Sequence, residues 1–386
     1  MCVRILCIFA AIFQMKHFLC IVFPILLVSC ATHEGAVSIR TTDNYDLSAI
    51  QLKGAVYSTP VKITDNTLVV GTHKKSIYFL TTNDTIQTEH RKKLPVHINE
   101  TILNVYRAKA WIHATPEVVF DSLVSIGSYD GNMYFFKPDG ELYLKKRQGG
   151  RIYTNPVQLN PDWIAFGLGK GLKYYNMQID SVLFVRIKHL THGSPTALND
   201  GLLCIGGNDK TMHFFDKNGK EVAKFKTDGW IMHSKAMVQN DSVVVFGSYD
   251  KNLYSVTSSG RLLWKFKTDG HIHASPQQFA NGNIVCGSFD KHIYVLSAQG
   301  EQIAAIPTEK RVVSSAAIFD DYAVVGSYDK HLYIINSLGL IIDKIYVGGK
   351  IFSSPIVLDD GTIFCATTKG EALFLRFHNK PSSIKL

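Results

Sequence analysis

Short apolar runs separated by polar turns recur along most of the chain, and no stretch has the periodicity of an amphipathic helix. Residues 243–246 form one such run and lead into Gly-Ser-Tyr-Asp, and residues 253–256 then alternate between apolar and polar positions. In residues 262–267 lysines alternate with apolar residues, as expected for an edge strand that is protected against pairing with other chains. Each unit of this kind predicts four short strands joined by tight turns.

This four-strand unit recurs eight times. The phrase Gly-Ser-Tyr-Asp-Lys-x-Leu-Tyr begins at Gly247 and Gly326, and related strings begin at Gly71, Gly127, Gly167, Gly206, Gly287 and Ala366. A second signature, small-Ser-Pro before an apolar run, has equivalent positions at Pro60, Pro116, Pro156, Pro195, Lys235, Pro276, Ala316 and Pro355. After a first interval of 56 residues, both signatures return every 39–41 residues. Eight four-stranded units of this length predict an all-β fold, an eight-bladed β-propeller.

The two ends of the repeat region are expected to meet. The last unit stops after its third strand, at residues 371–375, and residues 47–54 precede Pro60 with the spacing that a fourth strand has in other units. We therefore predict that the N-terminal strand completes the eighth blade. The propeller is assigned to residues 47–378, with 16 extra residues of the first unit in an insertion at 81–110, and residues 379–386 form a polar tail.

Residues 1–29 have the order of a signal peptide. Met15-Lys16-His17 supplies a basic start, residues 18–28 are uncharged, and the small Ser29 stands before a cleavage position. We therefore expect Met15 to be the true start. Residues 5–29 contain no run near the roughly 20 apolar residues that a membrane-spanning helix needs.

The string Leu27-Val28-Ser29-Cys30 resembles the bacterial lipobox. The resemblance implies that Cys30 is lipidated and becomes the mature N-terminus, with residues 30–46 as a polar tether; an ordinary secreted protein is the alternative. Ala31 follows, where an Asp in enteric bacteria favours retention in the inner membrane, so the resemblance points to the outer membrane. It leaves the periplasmic or surface side open.

Composition narrows the functional classes. The formal net charge is +9, but only 19% of residues are charged and no long block of like charge occurs, which does not indicate a nucleic-acid binder. Cys204, Cys286 and Cys365 lie in separate apolar runs, so we expect them to be small buried side chains rather than disulfides or metal ligands.

Ser-Pro, an apolar strand and Gly-Ser-Tyr-Asp together resemble the pyrroloquinoline-quinone-type propeller repeat, over nearly all of residues 47–376. Within that family, an eight-bladed lipoprotein of about this length is similar to the outer-membrane protein assembly component that docks on the barrel-insertion machine. The resemblance implies a non-catalytic, monomeric scaffold for protein partners of the bacterial envelope. It implies no cofactor, no nucleic acid, and contact with the membrane through the N-terminal lipid only.

A quinoprotein-like or metal-dependent propeller enzyme, or a solute- or glycan-binding propeller, is the alternative. Quinoprotein dehydrogenases resemble this repeat, but the chain has no Cys-Cys pair, and their repeated docking tryptophan survives only at Trp264. The aspartates at the Gly-Ser-Tyr-Asp turns are expected to be turn residues rather than catalytic groups, because the fold itself replicates them.

One candidate site is a ring of side chains at a mouth of the channel. Three residues before the Pro-equivalent positions stand Tyr57, His113, Tyr153, His192, Met232, His273, Val313 and Phe352, with His233 next to Met232. Imidazole binds several transition metals. However, His113, His192 and His273 belong to alternate units and are expected a quarter-turn apart, so we predict a polar ring for a peptide or ligand and no metal site.

A second candidate is a contact for a protein partner in and beside the insertion. It consists of basic residues, Arg91, Lys92, Lys93, Arg107 and Lys109. An acidic partner surface would complement them.

Overall fold

The computed structural model describes residues 34–42, 44–82, 100–187 and 192–378. Within them, antiparallel sheets form a ring of eight blades, so the predicted eight-bladed β-propeller is confirmed. Strands of a blade pair in chain order, and the first strands of most neighbouring blades contact one another around the axis. No helix in the described residues is long and apolar enough to cross a membrane.

Two strands precede the first blade and belong to the eighth, β1 (Val37–Thr41) and β2 (Tyr45–Gln51). Blades one to four follow in chain order. Blade one contains β3 (Val61–Thr64), β4 (Thr67–Gly71), β5 (Ser76–Thr82) and β6 (Glu100–Arg107), and blade two contains β7 (Glu117–Val119), β8 (Leu123–Gly127), β9 (Asn132–Phe136) and β10 (Leu142–Arg147). Blade three contains β11 (Val157–Gln158), β12 (Trp163–Gly167), β13 (Gly171–Asn176) and β14 (Ser181–Arg186), and blade four contains β15 (Thr196–Ala197), β16 (Leu203–Gly206), β17 (Thr211–Phe215) and β18 (Glu221–Lys226).

Blades five to eight have the same design. Blade five contains β19 (Met237–Asn240), β20 (Val243–Gly247), β21 (Asn252–Thr257) and β22 (Leu262–Lys267), and blade six contains β23 (Gln277–Gln278), β24 (Ile284–Gly287), β25 (His292–Leu296) and β26 (Gln302–Pro307). Blade seven contains β27 (Ala317–Phe319), β28 (Tyr322–Gly326), β29 (His331–Asn336) and β30 (Ile341–Tyr346), and blade eight adds β31 (Ile356–Val357), β32 (Ile363–Ala366) and β33 (Glu371–Phe377).

The N-terminal strand closes the ring, as the sequence predicted. β2 pairs with β33 along its whole length, with Ser48 opposite Phe374. Blade eight differs from the prediction in one respect, because β1 adds a fifth, outermost strand. Residues 37–41, assigned to the tether from the sequence, are therefore part of the propeller, and the Arg40 guanidinium donates a hydrogen bond to the Tyr346 carbonyl oxygen of blade seven.

The hydrophobic core is divided among the interfaces between blades. Eight separate clusters of buried apolar side chains fill the eight interfaces, including the one between blades eight and one. Cys204, Cys286 and Cys365 are buried free thiols within these clusters, as predicted, and burial raises the pKa of each thiol. The core surrounds a small cavity on the axis.

Antiparallel pairing gives the ring two different ends. The turns between second and third strands and the loops between blades lie at one end. The turns between first and second strands, and those between third and fourth strands, lie at the other. β5 ends and β6 begins at this second end, and residues 83–99 between them lie outside the described residues.

Candidate functional site

A cavity of about 90 Å³ lies on the axis, where the loops between blades enter the first strands. Two rings of side chains line it: Tyr57, His113, Tyr153, His192, His233, His273, Val313 and Phe352 form the first, and Thr59, Thr115, Asn155, Ser194, Lys235, Ser275, Ser315 and Ser354 form the second. The six candidate ring residues from the sequence are all in the first. The volume is large enough for several water molecules.

The histidines of the first ring meet at His233. Its ring centroid lies 5.8 Å from that of His113, 5.9 Å from that of His192 and 4.5 Å from that of His273. His113, His192 and His273 belong to alternate blades, as expected, but they are not isolated from one another, because each ring lies within 6 Å of the His233 ring from blade five. His233 has a left-handed backbone, with φ of 67°, and its N–H donates a hydrogen bond to the His192 carbonyl oxygen, which holds its imidazole among the others.

A fifth imidazole, His73, was not predicted. Its Nε2 lies 3.0 Å from Nδ1 of His113, and its ring stacks on Tyr57 and Trp111 at centroid distances of 4.1 Å and 4.9 Å. His73 occupies the tyrosine position of the first unit's Gly-Ser-Tyr phrase. Other units place Tyr129, Tyr249, Phe289 or Tyr328 there, so aligning the units would have brought it to the same mouth.

These imidazoles are neutral at pH 7. Burial lowers their pKa values, to about 4 in His73, His113 and His273, to about 2 in His233, and below the ordinary value in His192. In His113 and His233 the neighbouring imidazoles lower the pKa further. A neutral imidazole donates one hydrogen bond and accepts one. Among the described residues no group of three or more His, Cys, Asp or Glu side chains is arranged to hold a metal ion.

The second ring is a belt of hydrogen bonds that links the blades. Ser275 N–H donates to Ser315 Oγ at 2.9 Å, Ser315 N–H donates to Ser354 Oγ at 3.0 Å, and Ser354 N–H donates to Thr59 Oγ1 at 3.3 Å. Equivalent hydrogen bonds link Thr59 to Thr115, Thr115 to Asn155, and Asn155 to Ser194, in each case from the backbone N–H of the first residue to the side-chain oxygen of the second. The belt stabilises the closed ring, since each bond joins two blades.

Blade five departs from this pattern by one residue. Lys235 occupies the place of the serine or threonine in the belt, and its N–H donates to Ser275 Oγ at 2.8 Å. Ala236, not Lys235, therefore precedes the first strand as proline does elsewhere, which corrects the alignment made from the sequence. Burial raises the pKa of the nearby Glu117 carboxyl, and the Lys235 ammonium offsets part of this rise.

Aromatic rings and cations surround the mouth. Trp111 and Trp230 are 50% and 48% exposed. The Arg311 guanidinium lies over the Tyr328 ring at 4.5 Å, and the Lys350 ammonium lies over the same ring at 5.9 Å. The mouth is thus an exposed rim around a neutral, polar interior.

The exposed charges of the described residues are separated between the two ends of the ring. We call the end that holds the mouth the cationic face. Its turns and loops carry thirteen exposed cations, Lys53, Lys74, Lys75, Lys109, Arg151, Lys170, Lys210, Lys251, Lys291, Lys310, Arg311, Lys350 and Lys369, against four exposed acids, Glu34, Asp228, Asp269 and Glu309.

The opposite end, the acidic face, has the reverse composition. Its turns carry thirteen exposed acids, Asp65, Asp121, Asp139, Glu141, Asp162, Asp180, Asp200, Asp241, Glu301, Asp320, Asp321, Asp359 and Asp360, against four exposed cations, Lys137, Lys217, Lys220 and Arg261. The modest net charge of the chain therefore conceals two strongly charged surfaces.

The basic residues of the predicted partner contact do not form one cluster. Arg107 and Lys109 lie at the cationic face, at the end of β6 opposite to the insertion. Arg107 is paired with Glu34 at 2.7 Å. The other predicted residues of this contact, Arg91, Lys92 and Lys93, lie outside the described residues, as does Cys30.

The repeated turn aspartates make structural contacts, in agreement with the role predicted for them. Asp250 is typical: it accepts hydrogen bonds from the Asn252 N–H at 3.0 Å and the Tyr254 hydroxyl at 2.8 Å. Asp130, Asp290 and Asp329 have the same two kinds of contact. In blade four His213 replaces the tyrosine, with its Nε2 at 3.0 Å from Asp209 Oδ2.

Comparisons with known proteins support the architecture. The family model of the lambda-carrageenase beta-propeller domain matches residues 240–318, about a fifth of the chain. No curated protein sequence matches the chain. The match is to a different propeller family from the pyrroloquinoline-quinone-type repeat, whose resemblance stays a prediction.

Solved structures resemble the chain over most of its length at low sequence identity. BamB from Moraxella catarrhalis has a TM-score of 0.67 and 15% identity, with 85% of this chain and 98% of that chain covered. The computationally designed Ika8 protein has a TM-score of 0.68 and 14% identity, with 85% and 98% covered. Sqt1 from Saccharomyces cerevisiae has a TM-score of 0.69 and 12% identity, with 84% and 97% covered. At these identities the likeness shows the fold alone, an eight-bladed propeller.

Proposed function

We propose that this chain is a lipoprotein of the bacterial cell envelope, anchored to the outer membrane through Cys30. Its propeller is a monomeric, non-catalytic scaffold for protein partners in the assembly of outer-membrane proteins. The lipobox and the sequence resemblance to an outer-membrane protein assembly lipoprotein support this proposal, and the likeness to BamB is compatible with it. The axial cavity, of about 90 Å³, is much smaller than the groove of about 520 Å³ on the outer surface, which favours binding on outer surfaces.

The observation that carries the proposal is the outer strand of blade three, β14. Val182, Leu183 and Phe184 are 46%, 36% and 46% exposed. β14 is the last strand of its sheet, so one row of its backbone N–H and C=O groups faces outward. An exposed apolar edge of this kind is a template for an added strand from another chain.

Four other blades protect the same position with a charge. Phe184 stands opposite Lys173 in the β13–β14 register. At the matching register of blades two, four, five and seven stand exposed lysines, which are Lys145, Lys224, Lys265 and Lys344. The loss of the lysine at this outer strand favours a role in binding, because lysines at edges oppose strand addition.

A groove beside β14 provides room for a partner's side chains. It has a volume of about 520 Å³, lies between blades three and four, and is lined by Leu159, Leu183 and Leu202 among others. A partner in extended conformation on β14 would gain main-chain hydrogen bonds from the edge and specificity from this groove. An unfolded barrel strand, which alternates apolar and polar side chains, has the chemistry that such a site accepts.

The experiment is crosslinking in intact cells, followed by purification through a C-terminal tag and mass spectrometry. Phe184→Lys introduces the lysine that four other blades carry at this register, and Leu263→Lys, at a 42% exposed position of β22, is the matched control. We expect the wild type and the control to recover the barrel-insertion machine or unfinished barrels, and Phe184→Lys to lose most of this signal.

Equal recovery by Phe184→Lys would reject β14 as the contact. Recovery of transport or sugar-processing proteins alone would reject the assembly role. The proposed contact at Arg91, Lys92, Lys93, Arg107 and Lys109 is tested in the same assay by deleting residues 83–99, which leaves Arg107 and Lys109 in place.

A further inference from the structure

The described chain begins at the cationic face. Glu34 Oε1 accepts hydrogen bonds from the Arg107 guanidinium and the Tyr78 hydroxyl, both at 2.7 Å. Gly35 N–H donates to the Gln51 carbonyl oxygen, at the end of β2 that leads into the first loop between blades. β1 runs antiparallel to β2, so β1 begins at this face and Glu34, the first described residue, lies there.

The lipidation site that the sequence predicts is close to this point. Only residues 31–33 separate Cys30 from Glu34. Four residue steps span at most about 14 Å when fully extended. A lipid on Cys30 would therefore hold the cationic face next to the headgroups and turn the acidic face away from the membrane.

The chemistry of the cationic face suits that position. Each Lys or Arg close to an anionic membrane surface strengthens binding by about fivefold, and this face has thirteen exposed cations against four exposed acids. Trp111 and Trp230 are half exposed at its centre, and tryptophan is enriched at the boundary between headgroups and acyl chains. The acidic face would be repelled by the same surface.

We propose that the cationic face rests on the anionic phospholipid headgroups of the membrane that carries the Cys30 lipid. This inference rests on the lipid anchor of the proposed function. In this orientation β14 lies at the side of the ring and stays open to partners. The membrane would thus contact a folded surface in addition to the acyl chains.

The test uses the full chain in vesicles of phosphatidylethanolamine, with or without phosphatidylglycerol, in which bromine atoms on the lipids quench tryptophan fluorescence at the interface. A variant with Trp163→Phe and Trp264→Phe keeps the two tryptophans of the cationic face, and a variant with Trp111→Phe and Trp230→Phe keeps the other two. We expect strong quenching only in the first, only with phosphatidylglycerol, and its loss in high salt.

Charge-reversal variants identify the surface. In the first tryptophan variant, reversing Lys109, Lys310 and Lys350 to Glu should remove most of the quenching. The matched reversal of Asp320, Asp321 and Asp359 to Lys, on the acidic face, should leave it unchanged. Equal quenching of both tryptophan pairs, or quenching that neither phosphatidylglycerol nor the reversals affect, would overturn the proposal. So would binding of dextran sulfate, a soluble anionic polysaccharide, without quenching by vesicles.

The lipid anchor is measured separately, by the mass of the N-terminal peptide from the same preparation. A lipidated chain whose exposed tryptophans are not quenched refutes the membrane contact and leaves the anchored scaffold intact. An unmodified chain that is still quenched by added vesicles refutes the anchor and supports the cationic face as a membrane-binding surface.

Discussion

The glycine of the Gly-Ser-Tyr-Asp phrase is required by the contact between blades. A Cβ on Gly247 would lie 2.2 Å from Cγ2 and 2.8 Å from Cβ of Ile272, which begins the next blade and is 1% exposed. The same contact occurs in five other blades, at Gly71, Gly127, Gly206, Gly287 and Gly326. We therefore expect Gly247→Ala to destabilise the propeller.

The size of the effect follows from overpacking. Ile272 is fixed within a buried cluster, and its carbonyl oxygen lies 3.2 Å from the added Cβ, so the two blades must shift apart. Forcing extra atoms into a packed core costs about 1–3 kcal/mol. Gly150→Ala is the matched control, because its Cβ would meet only Leu168 at 3.4 Å, outside the left-handed region. At this position alanine should stabilise the folded protein by about 0.4–1 kcal/mol, because it restricts the backbone of the unfolded chain more than glycine does.

Urea unfolding gives the free energy of unfolding of each variant. The two alanine variants should differ by at least about 1.4 kcal/mol, with Gly247→Ala below the wild type. Adding Ile272→Ala to Gly247→Ala should cost less than the sum of the single changes, since the closest contact is removed. Equal stability of both glycine variants, or strict additivity at this pair, would refute the packing argument.

Two further predictions concern histidines with opposite pKa shifts. Burial and neighbouring imidazoles lower the pKa of His233 to about 2. Below pH 6.5 the unfolded chain therefore takes up a proton at this residue that the folded chain does not, and the free energy of unfolding falls as the pH falls. We expect His233→Gln to reduce this loss of stability between pH 6.5 and 4, by at most about 1.4 kcal/mol per pH unit. Burial alone would lower the pKa of His213, but hydrogen bonds to Asp209 and Glu221 raise it above its ordinary value. The charged His213 therefore stabilises the folded protein below pH 6.5, and this stabilisation is lost as the pH rises through the raised pKa. We expect the stability of His213→Tyr not to show this decrease. Urea unfolding from pH 4 to 9 measures both, and an unchanged profile in either variant would contradict its argument.

The fold was predictable because its determinants repeat. The Gly of each phrase and the turn aspartates serve the same contacts in several blades, so their spacing alone indicates the number and order of strands. β1 escaped prediction because residues 37–41 carry no repeat phrase. Its position depends on β2 and on the bond from Arg40 to blade seven, and neither contact has a local signal.

The separation of charge between the two faces depends on residues whose positions in the sequence are known, but it can be predicted only when the topology of the strands is also known. The turns between first and second strands are rich in aspartate, which favours tight turns through its side chain. Those between second and third strands place a lysine at positive φ, as at Lys251 and Lys291. Along the chain these charges alternate and largely cancel. Antiparallel pairing sends them to opposite ends of the ring, where they add instead.

The imidazole cluster depended on a single extra residue. Counting back from Lys235 as the proline equivalent gives Met232 the ring position, and the histidines then occupy alternate blades. With Ala236 as the equivalent, Lys235 enters the belt and His233 enters the ring. The extra residue is absorbed at His233, whose positive φ directs the chain inward, and a non-glycine residue in that region costs about 1–3 kcal/mol unless its surroundings stabilise it. Stacking on His192 and His273 and the hydrogen bond to the His192 carbonyl provide that stabilisation, so the cluster and the irregular backbone depend on each other.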